Sequence, residues 1–562
     1  MYDENIFTEQ AEYLNNSDLN TWHIEHPNER MIMKKLCQGG AKLLTGPRGC
    51  GKTTLLLRAY REMIYSGRVF SIYVNFKTSL KIEPLYKSNT NGSYWFNQWL
   101  LLKVYEGLYK SLNDYKVDES NIELSIRKKD VESYISKIEL GRIEELGDLD
   151  GLLTVSVLEN EICKVLECIK FSMCVLLLDD AAHAFSKEQQ YDFFEFFRNI
   201  KSRIISPKAA IYPGVTNFSA SFHVGHDAEE INVWIKTLDE KYLDFMTCLL
   251  RKRVGDNFYL QISKDDSLLK LICYSSFGIP RSLLNIVRFL LDHGNAQGDN
   301  VIDCSRKNIF DAIKMVNDAT LSIYKSLEDK LPIYKDFVYK GNQIFNSMVD
   351  YIKEYNKEKD LQKKTVEFGV RNPLPGELEK VFDFFQYAGL LMYDKEISKG
   401  DKGRYSIFIV NYGILIEQNA FFGTKNVKTS DIAIALSERD LHEYKRATVE
   451  TLVGNENINQ VFPLSLPPCP KCNTPRISPD TRFCSHCGNQ LTTSSIFIDL
   501  VNNDIQKLPL TENRIQTIKE NSTIRTIRDI LVDSEHKKLR SVPQIGPYWA
   551  NKIFSYAEEY IG

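Results

Sequence analysis

Lys52 and its neighbours are the residues whose types and spacing point most directly to chemistry. The stretch "LLTGPRGCGKTTLLL" matches the pattern G-x-x-x-x-G-K-[ST] from Gly46 to Thr53. Such a loop turns backbone N–H groups towards a phosphate, its lysine reaches the β- and γ-phosphates, and its hydroxyl contacts magnesium. We therefore expect ATP and Mg²⁺ to be held by Gly46, Pro47, Arg48, Gly49, Cys50, Gly51, Lys52, Thr53 and Thr54.

Two elements must position this loop. The apolar run "AKLLT" before it predicts a buried strand, and "TTLLLRAYREMIYS" after it predicts a helix. A strand, a glycine-rich loop and a helix in this order are the context that the motif requires. A glycine turn that binds nothing is the alternative interpretation.

A second candidate feature is an acidic pair. The run "MCVLLLDDAAHAF" predicts a strand covered on both faces that ends in Asp179 and Asp180. Asp179 would hold magnesium through water, and Asp180 would orient or deprotonate the attacking water. The alternative is that both aspartates cap the next helix.

A further strand is predicted in "AAIYPGVTNF", which ends in Thr216 and Asn217. The carboxyl end of a parallel strand faces the nucleotide, so Asn217 or Thr216 could sense the γ-phosphate. Both residue types are also common in turns, which is the alternative. We predict no metal site at the nearby histidines His183, His223 and His226.

Four cysteines near the end of the chain have the spacing of metal ligands. They form two C-x-x-C pairs in "CPKCNTPRISPDTRFCSHCGNQL", namely Cys469, Cys472, Cys484 and Cys487. Four thiolates close a tetrahedral zinc site, so we predict structural zinc in a segment that resembles a zinc ribbon. A redox pair is the competing interpretation, but no βαβ pattern surrounds these cysteines.

The order of these motifs, followed by "YSSFGIPRSLLNIVRFLLD", resembles an AAA+ ATPase of the origin-recognition-complex type, with the signalling STAND NTPases as relatives. The resemblance covers about residues 25–310. It implies ATP hydrolysis and a helical lid from which Arg281 reaches the γ-phosphate, whereas STAND proteins usually lack that arginine. A solvated arginine in a first helical turn is the alternative. The predicted catalytic residues are Lys52, Asp179, Asp180, Asn217 and Arg281, with Thr53 and Asp179 as the magnesium ligands.

Two departures from that family affect the expected activity. The family usually has Asp-Glu where this chain has Asp179 and Asp180, and the shorter carboxylate predicts slow hydrolysis. No arginine occurs between Arg203 and Arg251, the region where the family usually carries its arginine finger. The sequence therefore gives no support to a ring that hydrolyses ATP in trans.

The regions after the lid suggest further modules. Two helices and a hairpin after Gly341 resemble a winged helix, which serves for DNA or for protein contacts. The C-terminal stretch "LRSVPQIGPYWANKI" resembles the helix-hairpin-helix unit that ends the RNA polymerase α subunit, with Gly546 as the hairpin glycine. This implies contact with DNA backbone phosphates, and the only basic patch there consists of Lys537, Lys538, Arg540 and Lys552.

The expected fold is a multidomain α/β P-loop NTPase. Its predicted parts are an AAA+ core at 1–240, a helical lid at 241–325, a winged-helix-like domain at 326–425, a linker at 426–465, a zinc ribbon at 466–492 and a small all-α helix-hairpin-helix domain at 493–562. A length of 562 residues is too long for one hydrophobic core, which agrees with several domains.

Composition limits the expected partners. A net charge of -3 gives no global attraction to nucleic acid or acidic lipid, and no apolar run approaches the length of a membrane span. We expect a cytoplasmic ATP-driven switch that acts on DNA through its C-terminal modules, in replication, transposition or anti-phage defence. The alternative is a STAND-like scaffold that forms homo-oligomers and docks partner proteins.

Overall fold

Five parallel strands form the first sheet of the protein, whose structure is a computed structural model. The strands are β1 Lys42–Thr45, β2 Phe70–Asn75, β3 Cys174–Asp179, β4 Ile205–Ile211 and β5 Glu229–Asn232, in the order β2-β3-β4-β1-β5. The described residues are 21–88, 91–118, 122–146, 153–180, 186–295, 302–423, 427–438, 442–478, 481, 483–491 and 495–561. The strand β3, which ends in the acidic pair, is separated from β1 by β4, which pairs with both.

Helices cover both faces of this sheet. They are α1 Glu29–Cys37, α2 Lys52–Ser66, α3 Glu83–Ser88, α4 Gly92–Asp114, α5 Lys128–Glu139, α6 Val155–Ile169 and α7 Lys187–Ile200. Leu176 and Leu178 pack with α4, α6 and α7, whereas Val175 and Leu177 pack with α1 and α2. Every residue of β3 is buried because successive side chains enter these two cores alternately.

A helical region follows the first sheet. It contains α8 Tyr242–Val254, α9 Asp256–Ile262, α10 Asp266–Ser275, α11 Pro280–Asn295, α12 Arg306–Lys325, α13 Leu327–Lys330 and α14 Lys335–Lys357. The turn before α11 includes Gly278, where a Cβ atom would lie 2.1 Å from the carbonyl oxygen of Ile235. This close approach holds the start of α11 against the segment that follows β5.

The second sheet has four strands in the order β7-β8-β6-β9. They are β6 Glu367–Arg371, β7 Leu391–Ser398, β8 Arg404–Val410 and β9 Lys445–Ala447, and the accompanying helices are α15 Gly376–Ala388, α16 Tyr412–Glu417, α17 Thr429–Ser437, α18 Val449–Val453 and α19 Ile458–Val461. The helix, hairpin and strand expected after Gly341 are present as α14, α15, β7 and β8. That they form a winged helix stays a prediction.

The segment 426–465 differs from the linker expected there. It contains α17, α18, α19 and the strand β9, which pairs in parallel with β6. Ile432, Ala435 and Leu436 are buried in the same core as the helical region before it. Apolar residues at helical spacing in "DIAIAL" bury themselves against that core, so this stretch is part of a packed domain.

The C-terminal unit, residues 495–561, has its own hydrophobic core. Its helices are α20 Ile496–Asn502, α21 Glu512–Asn521, α22 Ile527–Leu531, α23 Lys537–Arg540 and α24 Pro547–Ile561. Isoleucines dominate this core, and Leu80 from the segment before α3 joins it. The unit therefore packs against the domain of the first sheet.

Across the part of the chain that the structure describes, none of the helices combines the length and the apolar character needed to cross a bilayer.

Candidate functional site

The loop from Gly46 to Thr53 lies between β1 and α2, as the sequence predicted. Gly51 precedes α2 with a φ of 96° in the left-handed region, which glycine adopts without strain. No side chain caps the start of α2, and the first N–H groups of a helix lack partners within it. These donors, together with the positive end of the helix dipole, favour an anion at this position.

Lys52 is the first residue of α2 and is only 5% exposed. Its Nζ donates to the carbonyl oxygen of Gly46 at 2.7 Å and to that of Pro47 at 3.0 Å. Burial lowers the pKa of Lys52, while Cys50, Asp180 and Asp179 act in the opposite direction. The lysine therefore lies inside the loop, where it can reach a bound anion.

The acidic pair lies at the carboxyl end of β3. Asp179 is the last strand residue, and its Oδ2 accepts a 2.7 Å hydrogen bond from the hydroxyl of Tyr73 on β2. Asp180 follows with a φ of 52°, and its N–H donates to Asp179 Oδ1 at 3.0 Å. Left-handed backbone outside glycine is uncommon and concentrates at functional sites, although aspartate tolerates it better than most residues.

Tyr212 connects the lysine with the acidic pair, and sequence reasoning missed it. It follows β4, which lies between β1 and β3, so its ring is placed between Lys52 and Asp180. The Nζ atom of Lys52 is 3.7 Å from the ring centroid, and the Tyr212 hydroxyl donates to Asp180 Oδ1 at 3.3 Å. Burial, followed by the charge of Asp180, raises the pKa of Tyr212, which therefore stays a protonated donor.

Asn217 forms its hydrogen bonds with Gln190 and Val215. The strand predicted to reach it ends at Ile211, because Pro213 and Gly214 turn the chain. The amide nitrogen of the Asn217 side chain donates to Gln190 Oε1 on α7 at 2.7 Å. A role for Asn217 in sensing phosphate stays a prediction, and the residue that directly follows β4 is Tyr212. An aromatic residue immediately after an apolar strand run is the only signal that could have identified it.

Arg281 enters the site from α11. It occupies the first turn of that helix, and its backbone N–H donates to the carbonyl oxygen of Gly49 at 3.4 Å. A Cβ atom on Gly49 would lie 2.8 Å from the Cβ of Arg281, so only glycine permits this approach. The predicted lid arginine and the loop are thus in direct contact.

Arg48 extends from the loop towards later parts of the chain. Its Nη1 donates to the backbone carbonyl of Glu559 at 3.2 Å. Burial opposes its charge, but neighbouring groups, among them the carboxylates of Glu559 and Asp180, outweigh burial and raise the pKa of Arg48. The arginine therefore carries a permanent positive charge beside the loop.

These residues fit a nucleoside triphosphate with magnesium. Lys52, Arg48 and Arg281 supply cations, and the N-terminus of α2 supplies backbone donors. Thr53 and Asp179 supply the hydroxyl and carboxylate oxygens that Mg²⁺ prefers. Thr53 and Thr54 are half-buried in the first turn of α2, whereas Cys50 is buried in the core beneath the loop.

The four predicted zinc ligands are brought together. The Sγ atoms of Cys469, Cys472, Cys484 and Cys487 all lie within 4.8 Å of one another. Each C-x-x-C pair is followed by a residue in the left-handed region, Asn473 and Gly488. This donor set fits one tetrahedral metal ion with soft ligands.

The basic residues of the C-terminal unit are partly grouped with aromatic ones. Lys537, Lys538 and Arg540 are exposed on or beside α23. Lys552 lies on α24, where its Nζ is 5.4 Å from the centroids of the Trp549 and Tyr556 rings. The guanidinium of Arg514 on α21 lies 3.4 Å from the Trp549 centroid. The basic patch predicted from the sequence did not include this arginine.

The turn before α24 differs in detail from the expected hairpin. Gly546, expected as the hairpin glycine, has open space around its Cβ position, and the left-handed residue of the turn is Gln544, with a φ of 65°. A helix-hairpin-helix at this place stays a prediction.

Two of the three histidines near the acidic pair contact Asp227. His226 is exposed and lies 3.7 Å from Asp227, and the backbone N–H of His223 donates to the same aspartate at 2.8 Å. His183 lies outside the described residues.

Comparisons with known proteins found similarity to solved structures, at low sequence identity. No family model and no curated protein matches the sequence. The chain is similar to the Orc1 protein of Aeropyrum pernix, solved in complex with DNA, at 12% identity over 77% of this chain and 96% of that chain, with a TM-score of 0.30. It is also similar to Cdc6p of Pyrobaculum aerophilum at 11% identity over 78% and 98% of the two chains, with a TM-score of 0.30.

Proposed function

We propose that the protein is an ATP-binding and ATP-hydrolysing switch of the AAA+ class. The observation that carries this proposal is the convergence of Lys52, Tyr212 and Asp180 at the carboxyl ends of three neighbouring parallel strands. Ligands of open α/β sheets bind at this edge. The lysine belongs to a phosphate-binding loop, and the aspartate belongs to an acidic pair on a buried strand.

Each residue has a defined role in the proposed reaction. Lys52 and the N–H groups that begin α2 bind the phosphates, while Thr53 and Asp179 hold magnesium. Asp180 orients or deprotonates the attacking water, and the Tyr212 hydroxyl keeps that carboxylate in place. Arg281 and Arg48 neutralise negative charge on the terminal phosphate. In this reaction water would break the bond between the β- and γ-phosphates of magnesium-bound ATP and release ADP and phosphate.

Hydrolysis is expected to be slow. Asp180 is one methylene shorter than the glutamate usual in this class, and its carboxylate already accepts a hydrogen bond from Tyr212. A small misplacement of a catalytic group lowers the rate strongly. A switch that holds ATP for long periods fits these features better than a motor does.

Calorimetric titration of the full chain with ATP and ADP tests the proposal. Lys52→Ala removes the cation inside the loop, so we expect a loss of affinity of at least about 100-fold. Lys34→Ala changes an exposed lysine on α1 and is the matched control, with unchanged affinity expected. Unchanged affinity in Lys52→Ala would remove the core of the proposal.

A DNA-contacting role of the C-terminal unit is the second part of the proposed function. The observation that favours it is the grouping of Arg514, Trp549 and Lys552, because stacked cation and aromatic surfaces suit nucleic acids. Fluorescence anisotropy with double- and single-stranded DNA at two salt concentrations tests it. Binding that weakens with salt, and weakens further in Lys537→Ala/Lys538→Ala, supports DNA as the target. No binding in any nucleotide state would leave the STAND-like alternative, in which these modules dock proteins.

The cysteine cluster is proposed to hold a structural zinc ion. Four thiolates fill a tetrahedral coordination sphere and leave no position for a substrate, so the metal would stabilise the fold of residues 466–491 and take no part in catalysis. Metal binding and folding of so small a segment are one event.

A further inference from the structure

The last turn of α24 lies against the proposed nucleotide site. Glu559 Oε1 lies 3.0 Å from Arg281 Nη1, in an ion pair that joins the C-terminal unit to the lid. The backbone carbonyl of Glu559 accepts hydrogen bonds from Arg48 Nη1 at 3.2 Å and from Lys330 Nζ at 3.3 Å. Three basic side chains from three separate regions of the chain therefore converge on one residue of the C-terminal unit.

Two of these side chains, Arg281 and Arg48, are the cations assigned above to the terminal phosphate. The Arg281 and Glu559 side chains are 26% and 24% exposed, so their ion pair is partly shielded from bulk water. A carboxylate and a phosphate are both anions that an arginine binds through charged hydrogen bonds. A guanidinium has five N–H donors, but the Glu559 carboxylate lies 3.0 Å from Nη1 and would repel a phosphate that approaches the same arginine, so the two anions compete for Arg281.

Polar contacts hold the C-terminal unit in its docked position. Glu558 forms an ion pair with Lys77 at 3.0 Å, and the Tyr560 hydroxyl donates to Asp329 at 3.0 Å. At the other end of the interface, Glu83 accepts hydrogen bonds from the backbone N–H groups of Ile496 and Phe497. Interfaces of this kind between domains of one chain allow relative motion.

The interface also contains a large cleft. It has a volume of about 830 Å³ and lies between residues 77–85 and 136–141 on one side and α20, α22 and α24 on the other. Domain interiors are close-packed, so a cleft of this size marks an interface that is only partly filled. The C-terminal unit is therefore incompletely packed against the domain of the first sheet.

We propose that the C-terminal unit is a nucleotide-controlled latch in which Glu559 occupies Arg281 and Arg48 until ATP replaces it. This inference rests on the proposed function, because it concerns regulation of the same site. When Arg281 and Arg48 turn to the terminal phosphate, Glu559 loses its partners and the unit undocks. ADP lacks the γ-phosphate, so with ADP bound Glu559 keeps its ion pair with Arg281 and the unit stays docked.

The helix α24 links the latch to the surface proposed for DNA. Its last turn carries Glu559, whereas its first residues, Pro547 to Trp549, lie beside the turn at the opposite end. A helix of 15 residues spans about 22 Å, so both ends move as one rigid body. Release of Glu559 therefore changes the position of the residues around Trp549.

The first experiment compares nucleotide affinity in full-length variants. Glu559→Gln keeps the size of the side chain and removes its charge, and Glu520→Gln changes an exposed glutamate of α21 in the same unit. We expect Glu559→Gln to bind a fluorescent ATP analogue about three- to tenfold more tightly than the wild type, the range expected for loss of a half-shielded ion pair. The gain should be smaller for ADP, and Glu520→Gln should match the wild type within about twofold.

The second experiment uses the wild-type chain and hydrogen exchange followed by mass spectrometry. A saturating non-hydrolysable ATP analogue should increase exchange at Ile496–Asn502 and in the last turn of α24, whereas ADP should not. This readout does not depend on a variant that must fold.

The outcomes separate the latch from the proposed function. The latch is overturned if Glu559→Gln binds ATP no more tightly than the wild type, or if hydrogen exchange in the C-terminal unit is unchanged at saturating ATP analogue. In either case, nucleotide binding by the wild type leaves the proposed function standing. Binding by Glu559→Gln where the wild type binds nothing supports the latch. Absence of binding in both chains overturns the proposed function and the latch with it.

Discussion

The Nζ atom of Lys52 lies 3.7 Å from the centroid of the Tyr212 ring, and the hydroxyl of the same tyrosine donates to Asp180. One buried side chain thus contacts the proposed phosphate-binding lysine with its face and the proposed water-positioning carboxylate with its edge. This arrangement exists because β4 lies between the strand that carries the loop and the strand that carries the acidic pair.

Two substitutions separate the two functions of Tyr212. Tyr212→Phe keeps the ring beneath Lys52 and removes the bond to Asp180, so nucleotide affinity should stay within about twofold while the hydrolysis rate falls about tenfold. Tyr212→Ala also removes the ring, so affinity should fall by about five- to 30-fold, as for a desolvated cation–π contact. Calorimetry and phosphate release measure the two effects, and Tyr393→Phe at a half-exposed position is the control. Wild-type affinity in Tyr212→Ala would contradict this role.

Metal content tests the cysteine cluster. Elemental analysis of the purified chain should find about one zinc per molecule, and Cys484→Ser should lose it because the coordination sphere then lacks a thiolate. Proteolysis should then cut within residues 466–491, since the segment depends on the metal for its fold. Cys168→Ser, at an exposed cysteine on α6, should keep both the zinc and the resistance to proteolysis. A zinc-free chain that resists cleavage there would contradict the prediction.

Glu83 should govern how firmly the C-terminal unit is attached. Its side chain is fully buried and accepts from Ser495 Oγ and from the N–H groups that begin α20. Glu83→Ala leaves these donors unpaired, at a cost of about 1–3 kcal/mol. Hydrogen exchange at Ile496–Asn502 should accelerate about tenfold or more, while Glu106→Ala at an exposed position of α4 leaves it unchanged. Unaltered exchange in Glu83→Ala would show that the hydrogen bonds of Glu83 do not hold the C-terminal unit in place.

Lys208 on β4 should make stability depend on pH. Its side chain is buried, and Nζ donates to the carbonyl oxygens of Gln38 and Gly40. Burial, assisted by the charge of Lys42, lowers the pKa of Lys208 from its ordinary value of 10.5 to about 7. Between pH 7 and pH 10 the unfolded chain therefore binds more protons at this position than the folded chain, so stability rises with pH in that window.

The comparison with Lys208→Met isolates this contribution. The free energy of unfolding of the wild type relative to Lys208→Met should increase by about 1–2 kcal/mol from pH 7 to pH 9. Thermal unfolding at both pH values measures the difference, and Lys34→Met controls for the loss of one exposed lysine. A difference that is constant or falls with pH would mean that Lys208 stays protonated in the folded chain.

Local patterns in the sequence predicted the parts of the site that depend on short-range rules. A glycine at the left-handed position before Lys52, an apolar run that ends in Asp179 and two C-x-x-C pairs each constrain the backbone within a few residues. The strand and helix that flank the loop, and the strand that ends at Asp179, are confirmed for this reason.

The sequence did not predict the contacts made between distant segments. The assignment of residues 426–465 to a linker overlooked a strand that forms only by pairing with β6, and β4 was extended past its end at Ile211. β-pairing depends on partners elsewhere in the chain, so a strand's limits are weakly encoded in its own residues.

The sequence by itself thus predicted the phosphate loop, the acidic pair and the cysteine ligands, because each prediction depends on the residue types within one short segment, and the resemblance to a known family added Arg281. Only the tertiary structure decided that Tyr212 lies between Lys52 and Asp180 and that Glu559 reaches Arg281. Strand order determines the first of these contacts and domain docking the second. Both depend on packing between segments far apart in the chain, which the periodicity and motifs of a single segment do not encode.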